Sequence, residues 1–167
     1  MKRMALFFLS ILLVLVAFGF ARAQIPKEGT GSFVAAFSGT YKTVPMGQER
    51  VQMAYEVIGP IITGTSEPIL QNASVRCVGS LHAIKGAYED DSGFCVYTRP
   101  DGNQVFKTYK PTGHLGASSK GRFIIVGGTG KLTGIQGDGE FIRIGVRPAA
   151  EGTFQSYNRV KYNYKLP

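Results

Sequence analysis

The glycine-studded stretch from Gly127 to Phe141, Gly-Gly-Thr-Gly-Lys-Leu-Thr-Gly-Ile-Gln-Gly-Asp-Gly-Glu-Phe, constrains the fold of this chain more than any other segment. Gly127, Gly128, Gly130, Gly134, Gly137 and Gly139 call for a backbone that takes positive φ, or lies close against another group, at several points in succession. Phosphate-cradling motifs also begin with a strand that enters a glycine turn, but neither template fits. In a P-loop a Ser or Thr follows the Gly-Lys pair, whereas here Leu132 follows Lys131, and Ile125 stands where the leading glycine belongs. A dinucleotide fingerprint requires Gly-x-Gly-x-x-Gly, and after Gly128-Thr129-Gly130 the next glycine, Gly134, comes one residue late. Downstream, Ile135, Gly137, Gly139 and Phe141 share one parity while Gln136, Asp138 and Glu140 share the other, which is the two-residue repeat of a strand. Glycines at successive same-face positions leave a gap in the wall that a neighbouring aromatic ring fills, or at which a barrel bends.

The remaining chain reads as strands on either side of this stretch. Phe33, Ala35 and Phe37 alternate with Val34, Ala36 and Ser38 after a polar lead-in from Gln24 to Gly31, and Lys42–Gln48 reads as a turn around Pro45 and Gly47. Val51, Met53, Tyr55 and Val57 then oppose Arg50, Gln52, Ala54 and Glu56 as a half-buried strand. From Ile58 to Asn72, Gly59-Pro60, Gly64 and Glu67-Pro68 punctuate a long connection whose Ile61, Ile62, Ile69 and Leu70 are expected to plug one end of the barrel. Pro100-Asp101-Gly102-Asn103 is a hairpin turn between Phe94–Arg99 and Gln104–Lys110. Pro111–Ser119 reads as a flexible connection, Arg122–Val126 as a buried strand, and Arg147–Gly152 as the last loop. Val160, Tyr162, Tyr164 and Leu166 alternate with Arg159, Lys161, Asn163 and Lys165 in the final strand. Eight strands joined mostly by turns too short for helical crossovers imply antiparallel pairing, and eight is the number that closes a small barrel. The expected fold is all-β, a single eight-stranded antiparallel β-barrel preceded by a cleaved signal peptide.

That signal is read at Met1–Ala23. Lys2 and Arg3 precede an apolar run from Met4 to Phe20, and Ala21-Arg22-Ala23 gives a small-x-small cleavage pattern, so the barrel domain spans residues 24–167 and starts at Gln24. The expected location is secreted or periplasmic, with no stable membrane insertion once the signal is removed. Loss of Lys2, Arg3 and Arg22 lowers the formal charge from +8 to about +5. The basic residues are scattered singly (Arg50, Arg76, Lys85, Arg99, Lys107, Lys120, Arg143, Arg159), read as a solvated surface, with no cluster to track a phosphate backbone and hence no nucleic-acid partner.

Cys77 and Cys95 are the only cysteines, and in an exported chain a disulfide is the default. If Val75–Ile84 and Gly93–Arg99 form a hairpin, the two cysteines face each other across adjacent strands, a separation that disulfide geometry accepts. Neither a Cys-x-x-Cys nor further ligands accompany them, so no redox or metal role is read.

With these residues in view the sequence resembles the allene oxide cyclase barrel-like superfamily, which includes the plant dirigent proteins. Gly127-Gly128-Thr129-Gly130-Lys131, followed by Gly134 and Gly137-x-Gly139, is similar to the glycine-rich strand-turn-strand of that group. The cysteine pair, with Gly93-Phe94-Cys95-Val96 and the Pro100–Asn103 turn, is similar to exported, mostly uncharacterised bacterial members. The resemblance covers chiefly Asn72 to Phe141. It implies either a cofactor-independent cyclisation inside the barrel or, as in dirigent proteins, steering of a radical coupling; neither group's catalytic residues map onto this sequence.

The residues themselves offer little chemistry. His82 and His114 lack carboxylate or cysteine neighbours at metal-ligand spacing and read as surface or hydrogen-bonded residues, Glu89-Asp90-Asp91 reads as a solvated hairpin tip, and no nucleophile motif appears. No metal and no cofactor is expected. Phe37, Met53, Tyr55, Tyr97, Tyr162 and Tyr164 are the candidates to line a cavity, where tyrosine hydroxyls would orient an apolar ligand. An eight-stranded barrel is equally able to be filled by them, and a packed core is placed slightly ahead. Three functional readings follow: a non-enzymatic barrel that binds a small apolar or aromatic molecule, a cofactor-independent isomerase or cyclase, and a structural or interaction protein that uses its outer face and homo-oligomer contacts.

Overall fold

A computed structural model of the chain describes residues 25–62 and 67–167. The proposed signal at Met1–Ala23 and its cleavage point lie outside the described residues. Among the described residues nine strands form one sheet: β1 (Glu28–Pro45), β2 (Arg50–Ile62), β3 (Ser74–Ile84), β4 (Ala87–Tyr88), β5 (Ser92–Thr98), β6 (Gln104–His114), β7 (Ser119–Gly128), β8 (Gln136–Val146) and β9 (Thr153–Lys165). Eight of them close a barrel in the order β1-β2-β3-β5-β6-β7-β8-β9, and the seam is β9 against β1, with Glu28 opposite Lys165 and Thr40 opposite Thr153. Every pairing is antiparallel. The ninth strand, β4, is a two-residue bridge on the rim that joins Ile84 of β3 to Gly113 and His114 of β6.

The strands run further than turn-forming residues suggested. Glu28–Gly31 and Lys42–Pro45 belong to β1, and the chain reverses at Met46–Glu49, where Gly47, Gln48 and Glu49 all take positive φ. The segment Pro111–His114 continues β6 instead of forming a loop. Pro111 fits because Gly121 lies opposite, where a Cβ would stand 2.9 Å from the Pro111 Cα. β2 likewise continues to Ile62, whose side chain faces solvent, so of the four apolar residues expected to plug the barrel end only Ile61, Ile69 and Leu70 are buried.

That end is closed by polar contacts as well as apolar ones. Glu67 is buried, and its Oε1 accepts the Tyr162 hydroxyl and the backbone N–H groups of Ile69 (3.2 Å) and Leu70 (2.9 Å). Leu132 and Ile135, on either side of the glycine turn, are fully buried beneath it. A single 3-10 turn at Gly130–Leu132 follows β7 where a nucleotide motif would open a helix. Gly130 and Gly134 take φ of 56° and 78°, the left-handed region that costs L side chains about 1–2 kcal/mol. Gly139 instead serves close approach: a Cβ there would meet the Phe123 ring at 2.5 Å and the Lys161 carbonyl at 2.4 Å, so the ring fills the gap left by the missing side chain.

Cys77 and Cys95 sit directly opposite on β3 and β5 and are disulfide-bonded. The link closes a segment of 18 residues of separation. In the chain-entropy description, closing a loop of that length removes about 3 kcal/mol of denatured-state freedom. Replacing both cysteines by alanine should therefore lower the urea unfolding free energy by about that amount. A loss below about 1 kcal/mol would show that the antiparallel pairing restrains this hairpin without the bond.

Candidate functional site

The interior is not filled from end to end. Toward the end opposite Glu67 lies a cavity of about 580 Å³ whose wall is mostly apolar. Alternation along the strands decides what reaches it. Val105, Lys107 and Tyr109 share the inward parity of β6, Phe141 and Arg143 that of β8, and Ser156 and Asn158 that of β9. Phe37, Met53, Tyr55 and Val57 come from β1 and β2, while Tyr41, Leu115 and the 146–148 segment surround the mouth. Of the aromatic and methionine candidates, Phe37, Met53 and Tyr55 line this cavity. Tyr97, Tyr162 and Tyr164 are buried in the packed part of the barrel and are not among its lining residues.

Tyr55 is a lining residue, as expected, but Lys107 and Arg143 on the wall and Asp91 behind it are not the solvated residues that the sequence suggests. Asp91, expected in a solvated tip, is fully buried just before β5. Its Oδ2 accepts Arg143 Nη1 at 3.1 Å and its Oδ1 accepts the Tyr55 hydroxyl at 2.5 Å. Since the Tyr55 proton is committed to Asp91, the Tyr55 oxygen accepts from Tyr109, whose hydroxyl lies 2.9 Å away. The result is a chain from Tyr109 through Tyr55 and Asp91 to Arg143. Burial pushes the Asp91 carboxyl above its ordinary range against the pull of the Arg143 guanidinium, and it raises both phenols, that of Tyr109 to about 12. The neighbouring Asp90 does stay exposed, and its Oδ1 accepts the His82 N–H at 3.0 Å.

Lys107, also grouped with the solvated basic residues, is only 6% exposed. Its Nζ lies 4.2 Å from the centroid of the Phe123 ring, 4.7 Å from that of Tyr97 and 5.9 Å from that of Phe141. Among the described residues no carboxylate is within ion-pair distance of it. Desolvation, with the Arg143 charge adding to it, lowers its amine from 10.5 to about 7. In register Lys107 stands beside Cys95, so the disulfide and the amine share one row of the inner wall. Asn158 Oδ1 and Ser156 Oγ, both on lining residues, are buried without a hydrogen-bond partner. His114 ends β6 at the cavity edge, with its ring nitrogens 3.1 Å from the Leu115 carbonyl and 3.0 Å from that of Lys85. Among the described residues no group of three or more His, Cys, Asp or Glu is placed to hold a metal ion.

Fold and site together define a closed antiparallel barrel with an accessible, largely apolar cavity and a small set of buried ionisable groups on its wall. No family model matches the chain, and no curated protein sequence matches it. Among solved structures, it is similar to a pterocarpan synthase dirigent protein at 9% identity and a TM-score of 0.43, over 89% of this chain and 96% of that one.

Proposed function

We propose that this is an exported barrel protein, with its functional domain in residues 24–167, that binds a small apolar or aromatic molecule in the cavity. The cavity itself carries the reading: about 580 Å³ behind a mouth, walled by Phe37, Met53, Val57 and Phe141, matches the size and lining of small-molecule sites. The unpartnered Asn158 and Ser156 oxygens supply orienting contacts for a guest that has a polar end. Export is supported by the N-terminal sequence and by the disulfide, which persists in oxidising compartments. Calorimetric titration with fatty acids and phenolics tests the binding. Saturable binding that is lost when Met53→Trp fills part of the cavity is expected, and no binding of any of them at millimolar concentration would overturn the reading.

A second reading, a cofactor-independent isomerase or cyclase, is favoured by one specific observation. Tyr55, Tyr109 and Arg143 line the cavity and are joined in one hydrogen-bonded chain through Asp91, which is buried behind them, a set able to hold and move a proton beside a bound molecule. Turnover of a bound guest that falls at least tenfold in Tyr55→Phe, with affinity unchanged, would select this reading over binding alone.

A further inference from the structure

Lysine is a poor choice for filling the inside of a barrel. Removing an ammonium from water costs several kcal/mol, and a methionine or leucine would occupy the same space without that cost. Yet Lys107 lies on the cavity wall with rings of Phe123, Tyr97 and Phe141 around its Nζ and, among the described residues, no carboxylate at ion-pair distance; Asp91 is held by Arg143 and Tyr55. A lysine desolvated by apolar groups and placed near a second cation is the arrangement that keeps an amine neutral and nucleophilic. The same wall offers apolar surface to the body of a guest and places that guest against the amine.

We propose that Lys107 is a nucleophile that captures a carbonyl compound inside the barrel as an imine, the guest being an aldehyde or unhindered ketone with an apolar or aromatic body. This rests on the cavity being a binding site. The neutral amine attacks the carbonyl carbon; a C–N bond forms and the π electrons move to oxygen. One nitrogen proton passes to that oxygen to give the carbinolamine. The hydroxyl then leaves with the second nitrogen proton as water, and the nitrogen lone pair forms the C=N bond. Amine plus carbonyl gives imine plus water, with no change in oxidation state. The amine's ordinary pKa would leave it almost wholly protonated at neutral pH; lowered to about 7, a large fraction is free to attack.

The test is reductive trapping on the intact barrel. The protein is incubated with cinnamaldehyde or octanal and sodium cyanoborohydride at pH 7, and adducts are located by peptide mass mapping. The expected result is one adduct per chain, on the peptide that carries Lys107, formed at least tenfold faster than adducts on the exposed Lys85, Lys120 or Lys161, and absent in Lys107→Met. Prior occupation by cinnamyl alcohol or octanol, which fit the same space but form no imine, should slow it. Equal labelling of all lysines would overturn the proposal. So would saturable binding of the alcohols with no adduct at Lys107, an outcome that leaves the cavity as a binding site. If neither alcohol nor aldehyde binds, both the imine and the binding reading fall.

Discussion

Replacing Lys107 by methionine is expected to make the barrel more stable, and to do so by an amount that shrinks as pH rises. The folded amine titrates at about 7, against 10.5 when free in the unfolded chain. Below pH 7 both states bind the proton and the full penalty of charging the buried amine is present. Between pH 7 and 10.5 the unfolded chain binds more protons than the folded one, so wild-type stability rises with pH by about 1.4 kcal/mol per unit from this group alone. Above 10.5 neither state is protonated there and the penalty is gone. The advantage of Lys107→Met should therefore be on the order of 4 kcal/mol at pH 7 and vanish near pH 10.5. Unfolding in urea across pH 6 to 10 measures it. The buried tyrosines titrate in both proteins and cancel in the difference. A pH-independent difference, or a variant less stable at every pH, would show that the ring contacts around the ammonium outweigh its desolvation.

The opposite sign is expected at Arg143. Arg143→Met leaves the fully buried Asp91 with the Tyr55 hydroxyl alone. Breaking one side of a buried pair costs about 3–5 kcal/mol, because the remaining buried charge loses the opposite charge that compensates it. Asp91→Asn should be costly for the same reason, since it strands the Arg143 guanidinium. The double variant should cost less than the two singles added together, by up to about 3 kcal/mol, because it removes both charges at once. Unfolding free energies for the four proteins close the cycle. Strict additivity would mean that water reaches the pair and that its two members act separately.

Much of the barrel was legible in the residues, and for a clear reason. Parity along β2 and β9 is strong, the Pro100–Asn103 turn is specific, and the cysteine spacing fixes the β3–β5 register that the structure has. Punctuation misleads: Gly59-Pro60 and Pro111 suggest connections, yet β2 and β6 run through them, and at Pro111 the glycine across the sheet, Gly121, makes room for the proline. Residue type and position disagree at the charged members of the site. Lys107 has the parity of Val105 and Tyr109, Arg143 that of Phe141, and Asp91 that of Cys95 and Tyr97, all of which face inward. Applying the alternation rule to charged residues as strictly as to apolar ones would have found all three. Which inward tyrosines border the cavity and which lie in the packed end depends on the stagger of the strands around the barrel, and a single strand's pattern does not carry that information.

The seam between β1 and β9 sets when this molecule becomes itself. Each of the other pairings joins strands that are neighbours along the chain or separated by one short strand, β4 between β3 and β5 or β5 between β4 and β6, so they can form as soon as both partners exist. The seam joins the first strand to the last, with Leu166 N–H on the Lys27 carbonyl at 2.6 Å as its final clasp. Until Thr153–Lys165 has been synthesised, any assembled part is an open, curved sheet with two raw edges and its apolar concave face in water. Ring closure, with the creation of a water-shielded cavity, is therefore a single late event. A ribosome that still holds the last strand also holds off the moment at which Lys107 and Asp91 leave water.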